Sequence, residues 1–220
     1  MQVLPNQPDN AIPFSEEEKG NQLFPVFVKL NKLRTLLIGA GNIGLEKLTA
    51  IVNNSHSATI TIVAETVSPE VYALVANYPL IKVKQKSFDI DDLNDIDIVF
   101  AATNNHILNE EIRKVTHERG LLINVADKPE LCDFYLGSIV QKGDLKIAIS
   151  TNGKSPTIAK RLKQILNEGL PAELDETLQN MSALRQTLNG DFSAKVKKLN
   201  KVTQSLINPK KASQSGILNG

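Results

Sequence analysis

The sequence predicts a doubly wound α/β fold, a parallel sheet covered on both faces by helices. Three observations carry this. The apolar runs "ATITIVA" (58–64), "IDIVFAAT" (96–103) and "LLINVA" (121–126) hardly alternate in polarity, as expected of strands buried on both faces. Helical stretches of about ten residues separate them. One strand, "LLIGAGNIG" (36–44), runs directly into a turn with three glycines.

From the amino end, residues 1–22 are polar and proline-rich and predict a flexible arm. "FPVFVKL" (24–30) predicts a strand, "NK" a turn, and "LRTLLIGA" (33–40) the returning strand. In 42–53, Ile43, Leu48, Ile51 and Val52 share a helical face. The strand 58–64 follows. Ser68-Pro69 then supplies an N-cap and a first-position proline for a helix to about Asn77. "IKVKQ" (81–85) and 96–103 are strands, 106–119 is a helix ending at Gly120, and 121–126 is the last buried strand. The texture then changes. Residues 137–150 predict a hairpin turning at Lys142-Gly143-Asp144. Ser155-Pro156 caps a helix that Pro171 stops, and 172–188 and 192–207 predict two amphipathic helices with a frayed tail. Leu174, Leu178, Met181, Leu184 and Leu188 recur at helical spacing, so the first of these is expected to pack against something.

Composition limits the function. The 220 residues suffice for one sizeable domain or two small ones, and a net charge of +1 gives no reason to expect a nucleic-acid partner. A single cysteine, Cys132, excludes an internal disulfide. The first twenty residues lack a basic stretch followed by an apolar one, and no run approaches the roughly 18 apolar residues of a membrane span. The expectation is a soluble, cytoplasmic protein without a membrane partner. His56, His106 and His117 are scattered in no ligand pattern, so no metal site is expected.

The turn Gly39-Ala40-Gly41-Asn42-Ile43-Gly44 matches a dinucleotide-binding loop in its context. Gly39 permits the sharp turn, Gly41 lets backbone approach a pyrophosphate, and Gly44 lets the helix lie close to the sheet. Amides at the helix start face the phosphates. Glu65 follows the second strand, where a carboxylate accepts hydrogen bonds from ribose hydroxyls and repels the extra phosphate of NADP. NAD is the expected cofactor. Thr103 and Asn104, beyond the carboxyl end of the fourth strand, are expected to edge it, with a helix-capping turn as the plainer alternative. Asp127 leaves the fifth strand at the same edge and is the carboxylate best placed to reach the nicotinamide. Its plainer alternative is a cap for the loop before Pro129. Thr151, Asn152 and Gly153 form a polar turn before Ser155, and Lys154, Lys160, Arg161 and Lys163 surround that helix start. Helix amides with cations suit an anion; solvated lysines beside a capped helix are the alternative.

Together, "FPVFVKL…RTLLIGAGNIGLEK", "VFAATNN…N", "NVADKPELCDF" and "IAISTNGKSPTIAKRL" resemble the precorrin-2 dehydrogenase / sirohydrochlorin ferrochelatase family, the module found in siroheme synthase. The resemblance covers about residues 24–170. It implies NAD-dependent oxidation of precorrin-2 to sirohydrochlorin, with insertion of ferrous iron (Fe2+) in some members. It also implies a homodimer built from a Rossmann domain (23–136), a dimerisation region (137–170) and a helical C-terminal domain (171–220). Asp127 matches the residue tied to catalysis, and Thr151 matches a position in the substrate region that is usually Ser or Thr; Asn152, Lys154 and Ser155 join it as substrate candidates on the anion-site reading of the helix start. Asn42, Ile43, Glu65 and Thr66 match positions that contact NAD. Gly44 departs from the alanine common in the family, a change expected to leave phosphate binding unharmed, and Gly137 replaces a frequent proline. The six lysines of 192–211, with no acid among them, suit a solvated helix face or a lid over a polycarboxylate substrate. A different class remains open: an NAD-sensing regulatory Rossmann module, which needs the glycine turn and Glu65 but neither Asp127 nor the helix start at Ser155.

Overall fold

The structure is a computed structural model that describes residues 20–171, 174–187 and 192–207. The flexible arm expected at 1–22 falls mostly outside the described residues, as do the frayed tail and Leu188. The chain divides into two compact units, one ending at Leu136 and one beginning at Gly137.

The first unit alternates strand and helix: β1 (Arg34–Ala40), α1 (Asn42–Asn54), β2 (Thr59–Val67), α2 (Pro69–Val75), β3 (Ile81–Gln85), β4 (Ile98–Ala101), α3 (His106–Glu118) and β5 (Leu122–Val125). The strands form one parallel sheet in the order β3-β2-β1-β4-β5. The order reverses between β1 and β4, which is where such sheets open a ligand crevice. Side chains alternate between the two faces. Leu37, Ile60, Ile62 and Phe100 are buried on one face with Leu48, Ile51 and Val52 of α1. Leu36, Ile38, Val63 and Val99 are buried on the other with Ile112 of α3. Ser68 caps α2 through the Val71 amide (3.3 Å). The buried carboxylate of Asp92 takes Lys84 at 3.2 Å and Lys86 at 2.5 Å. Burial pushes its pKa up, but hydrogen bonds from Lys86, the Asp89 amide and Lys84 outweigh this and hold it below the ordinary value.

Two expectations need correction. "FPVFVKL" is not a strand: residues 21–29 pair with nothing regular, and Leu30–Lys32 form a short 3-10 turn. The topology explains this. β1 is already hydrogen-bonded on both sides, to β2 and to β4, so a hairpin partner has no free edge to join. Phe24 is left 86% exposed and Phe27 69%. The second correction is that β2 runs on to Val67, so Glu65 and Thr66 belong to the strand. The register between β1 and β2 shifts after Ile38, opposite this extension.

The second unit holds an antiparallel hairpin, β6 (Ser138–Lys142) and β7 (Leu145–Ile149), then α4 (Pro156–Gly169), α5 (Leu174–Thr187) and α6 (Phe192–Ile207). Gly143 makes the tight turn at φ +54°, where other residues are strained. Ser155 caps α4 through the Ile158 amide at 3.2 Å. Among the described residues, Val140 and Ala159 are the unit's buried apolar side chains. Ile158, Leu162 and Ile165 form an exposed stripe along α4, and α5 buries none of its residues.

Candidate functional site

A cleft of about 1000 Å³ opens beyond the carboxyl ends of β1, β2 and β4. It is lined by Gly39, Gly41, Asn42 and Ile43 on one side and by Glu65 and Thr66 on another. Thr103 and Asn104 close a third side.

The three glycines act differently. Gly39 has φ +99°, and a Cβ there would lie 2.3 Å from the carbonyl oxygen of Ala102, so the β1 turn is seated directly on the end of β4. A Cβ on Gly44 would lie 2.2 Å from the Gly39 carbonyl oxygen, so this glycine lets α1 sit against the turn it leaves. Gly44 itself does not line the cleft. Only at Gly41 does a Cβ meet nothing within 4 Å. Its absence serves no internal contact and leaves room for something to approach the backbone at the amino end of α1. Gly41 is also the N-cap of α1 without a side chain to satisfy the first helical amides. An anion fits such a place by hydrogen bonding and by the helix dipole, so the residues present fit a dinucleotide pyrophosphate.

Glu65 is held on two sides by the end of β3. Ser87 Oγ donates to its Oε1 at 2.7 Å, and Gln85 Nε2 donates to its main-chain oxygen at 3.2 Å. Tyr72 of α2 donates to Gln85 Oε1 at 3.1 Å, which fixes the amide. On the β4 side, Thr103 Oγ1 lies 2.6 Å from Asn109 Oδ1, and Asn109 Nδ2 donates to the Thr103 carbonyl at 3.1 Å. Asn105 caps α3 through the Leu108 amide. The edging and capping roles of this turn are therefore compatible: Thr103 and Asn104 line the cleft while Asn105 starts the helix.

Sequence reasoning missed several participants. Phe88, His106 and Ile107 line the cleft, and Ile107 is 71% exposed there. Asn109 carried a signal, a fully buried amide on the apolar face that includes Ile112 and Val115. Phe88 carried none, being one aromatic residue in an irregular stretch.

Asp127 does not line this cleft. It follows β5, whose carboxyl end lies at the same sheet edge, with the Ala126 amide bonded to the Ala101 carbonyl at 2.9 Å. β5 lies two strand spacings from β1, about 10 Å along the edge. Asp127 is exposed and adopts φ +58°, and among the described residues its carboxylate takes no hydrogen bond or ion pair. Among the described residues it makes no bond that would cap the loop before Pro129.

In the second unit, Thr151 Oγ1 accepts from the Ser155 amide at 3.2 Å and lies 3.1 Å from the Ser155 carbonyl. Asn152 and Gly153 both have positive φ. Lys154 is exposed beside them, its amide bonded to the Thr151 carbonyl. Thr151 and Ser155 are thus partly committed to shaping the start of α4.

Comparison with known proteins follows this geometry. The NAD(P)-binding family model matches residues 26–138, which include every cleft residue named above. The chain belongs to this family. The model for the sirohaem biosynthesis protein central region matches residues 142–168. A siroheme synthase of Thioalkalivibrio sulfidiphilus is 33% identical over 149 residues, 68% of this chain and 30% of its own length. That of Vesicomyosocius okutanii is 30% identical over 77% of this chain and 36% of its own length. The chain thus spans about a third of the length of these curated relatives. The structure of SirC, a precorrin-2 dehydrogenase, superposes with a TM-score of 0.67 at 26% identity, covering 88% of this chain and 98% of that one. The family resemblance drawn from the motifs and the doubly wound fold both hold. No helix among the described residues is long and apolar enough to cross a membrane.

Proposed function

We propose that this chain is an NAD-dependent precorrin-2 dehydrogenase, forming sirohydrochlorin in siroheme biosynthesis. The observation that carries the reading is one sheet edge bearing both the open glycine turn and an unpaired carboxylate, in a fold matched over nearly the whole of SirC.

NAD, when bound, supplies the acceptor for a hydride. The chain's own residues do the rest. Amides at the start of α1, bared by Gly41, bind the pyrophosphate, with Asn42 and Ile43 beside it. Glu65, steadied by Ser87, accepts hydrogen bonds from the ribose hydroxyls and disfavours the phosphate of NADP, with Thr66, Thr103 and Asn104 completing the walls. Asp127 takes the proton that leaves the macrocycle, and its negative charge favours the cation that develops as hydride departs. Lys154 and the α4 start, with Thr151, Asn152 and Ser155, bind carboxylate arms of the substrate. As ferrous iron enters sirohydrochlorin two pyrrole protons leave; the same carboxylate at 127 can accept one and solvent the other, so the reading extends to iron insertion, with Fe2+ as substrate. A homodimer through 137–170 is part of it: an isolated two-stranded hairpin and the bare stripe of Ile158, Leu162 and Ile165 call for cover that a second copy provides. A sedimentation mass of one chain would remove that part. The cytoplasm is the proposed compartment.

The test mixes the protein with precorrin-2 and NAD and follows sirohydrochlorin absorbance. Turnover is expected in the wild type, with a loss of about 10²–10⁴-fold in Asp127→Ala and unchanged NAD affinity. NAD binding without any turnover would instead support the regulatory sensor. Adding ferrous iron to sirohydrochlorin reads the chelation step directly.

A further inference from the structure

The loop that carries Asp127 is closed by a thiol standing where backbone usually stands. β5 is hydrogen-bonded to β4 on one side, so the peptide groups of Ile123 and Val125 face the sheet's open edge. Such an edge must be covered or paired. Residue 133 covers Ile123: its amide donates to the Ile123 carbonyl at 2.8 Å, and its carboxylate accepts from the Ile123 amide at 3.0 Å. Arg113 fixes that carboxylate at 2.6 Å. At Val125, only 2% exposed, the partner is Cys132 Sγ. It accepts from the Val125 amide at 3.2 Å and lies 3.1 Å from the Val125 carbonyl and 3.3 Å from that of Lys128. One S–H proton serves one of these two carbonyls at a time. The thiol thus joins the last residue of β5 to the residue after Asp127. Asn124 anchors the returning chain, donating to the Phe134 carbonyl at 2.9 Å. Between these ties Asp127 holds φ +58°, a conformation that costs an L-residue energy unless its surroundings impose it. Burial pushes the Cys132 pKa up, which keeps the proton on sulfur and the donor in place.

We propose that Cys132 is a positioning residue for Asp127, its thiol clasping the ends of the 125–132 loop so that the carboxylate is presented from a fixed left-handed turn. The proposal rests on the dehydrogenase reading and gives the chain's one cysteine a role that is neither redox nor metal-binding.

The experiment compares Cys132→Ala and Cys132→Ser with the wild type in kcat, KM, NAD affinity by titration, and amide exchange of Val125. Alanine removes donor and acceptor; serine keeps both on a shorter arm. In Cys132→Ala, kcat is expected to fall by about 10²-fold, the scale of misplacing a reacting group by about 1 Å. KM and NAD affinity are expected to stay within about twofold, below the tenfold that marks a lost interaction. Exchange at Val125 accelerates. Cys132→Ser recovers most of the loss. Wild-type kcat in the alanine variant, NAD affinity falling in step with kcat, or a serine variant no better than alanine would each overturn the proposal. A wild type that binds NAD but turns nothing over overturns the dehydrogenase reading and the positioning role with it.

Discussion

At the amino edge of the sheet, Arg34 binds Asp97 through its Nε (3.0 Å), its Nη2 (2.9 Å) and its main-chain amide (2.7 Å), and reaches Asp95 at 3.1 Å. At the carboxyl edge, the same β1 ends in a glycine turn whose outer backbone meets nothing, and the turn after β5 carries a carboxylate with no partner among the described residues. One end of a strand uses its charges to close itself. The other leaves donors and acceptors open, a state that is stable in water and useful toward a ligand. Changes at the carboxyl edge should therefore move binding without moving stability, and changes at the amino edge the reverse. Gly39 and Gly44 are the instructive exceptions, being structural residues inside a functional loop.

The largest effect tests those exceptions. Gly39→Ala forces a Cβ into the Ala102 carbonyl at a positive φ, so its melting temperature should drop by several degrees, as for a loss above about 1 kcal/mol. Gly41→Ala adds a methyl in open space, so its melting temperature should match the wild type while NAD affinity falls tenfold or more, about 1.4 kcal/mol. Calorimetry and titration of both variants decide the matter. If Gly41→Ala binds NAD normally, nothing approaches that backbone and the contrast between the edges fails. Alanine at 44 meets the same obstacle as at 39. A Cβ there would lie 2.2 Å from the Gly39 oxygen and requires α1 to shift outward, so Gly44→Ala should lower the melting temperature as well.

These differences among glycines show what a sequence can and cannot convey. The motif, its strand and its helix were legible because spacing and periodicity are local properties. That Gly39 faces a neighbour depends on the position of Ala102, more than 60 residues away, and that Gly44 does depends on how the turn folds back on Gly39. The error at "FPVFVKL" has the same origin: its pattern suits a strand, but whether a strand forms depends on a free edge, and the sheet order leaves none beside β1. The Ser87–Glu65 bond and the Cys132 clasp were illegible for this reason too, since each joins elements that spacing alone does not bring together.

A smaller effect is expected at Ser87. Its hydroxyl holds one oxygen of Glu65 and leaves the other to the cleft. Ser87→Ala should lower NAD affinity severalfold, as for an exposed hydrogen bond of about 1 kcal/mol, and narrow the preference over NADP. Ser87→Thr should restore both. Equal losses for NAD and NADP would mean that Ser87 shapes the loop without orienting the carboxylate.

The smallest effect lies at the amino edge and is visible mainly in acid. Hydrogen bonds from the Arg34 side chain and amide lower the Asp97 pKa from 3.8 to about 2. A carboxylate with a depressed folded pKa adds stability that is complete above the unfolded value, and loses it as pH falls through the folded one. The Arg34–Asp97 contribution is therefore full above about pH 4 and fades toward pH 2. Its size is modest because the pair is open to solvent and screened by salt. Asp97→Asn should flatten the fall in melting temperature between these limits, leaving the part that Asp92 contributes by its own depressed pKa. NAD affinity at neutral pH should be unchanged, since β1 separates this pair from the cleft by the strand's length. A variant that lost nucleotide binding along with its acid response would show that the two ends of β1 are coupled, and the division of labour along the strand would have to be abandoned.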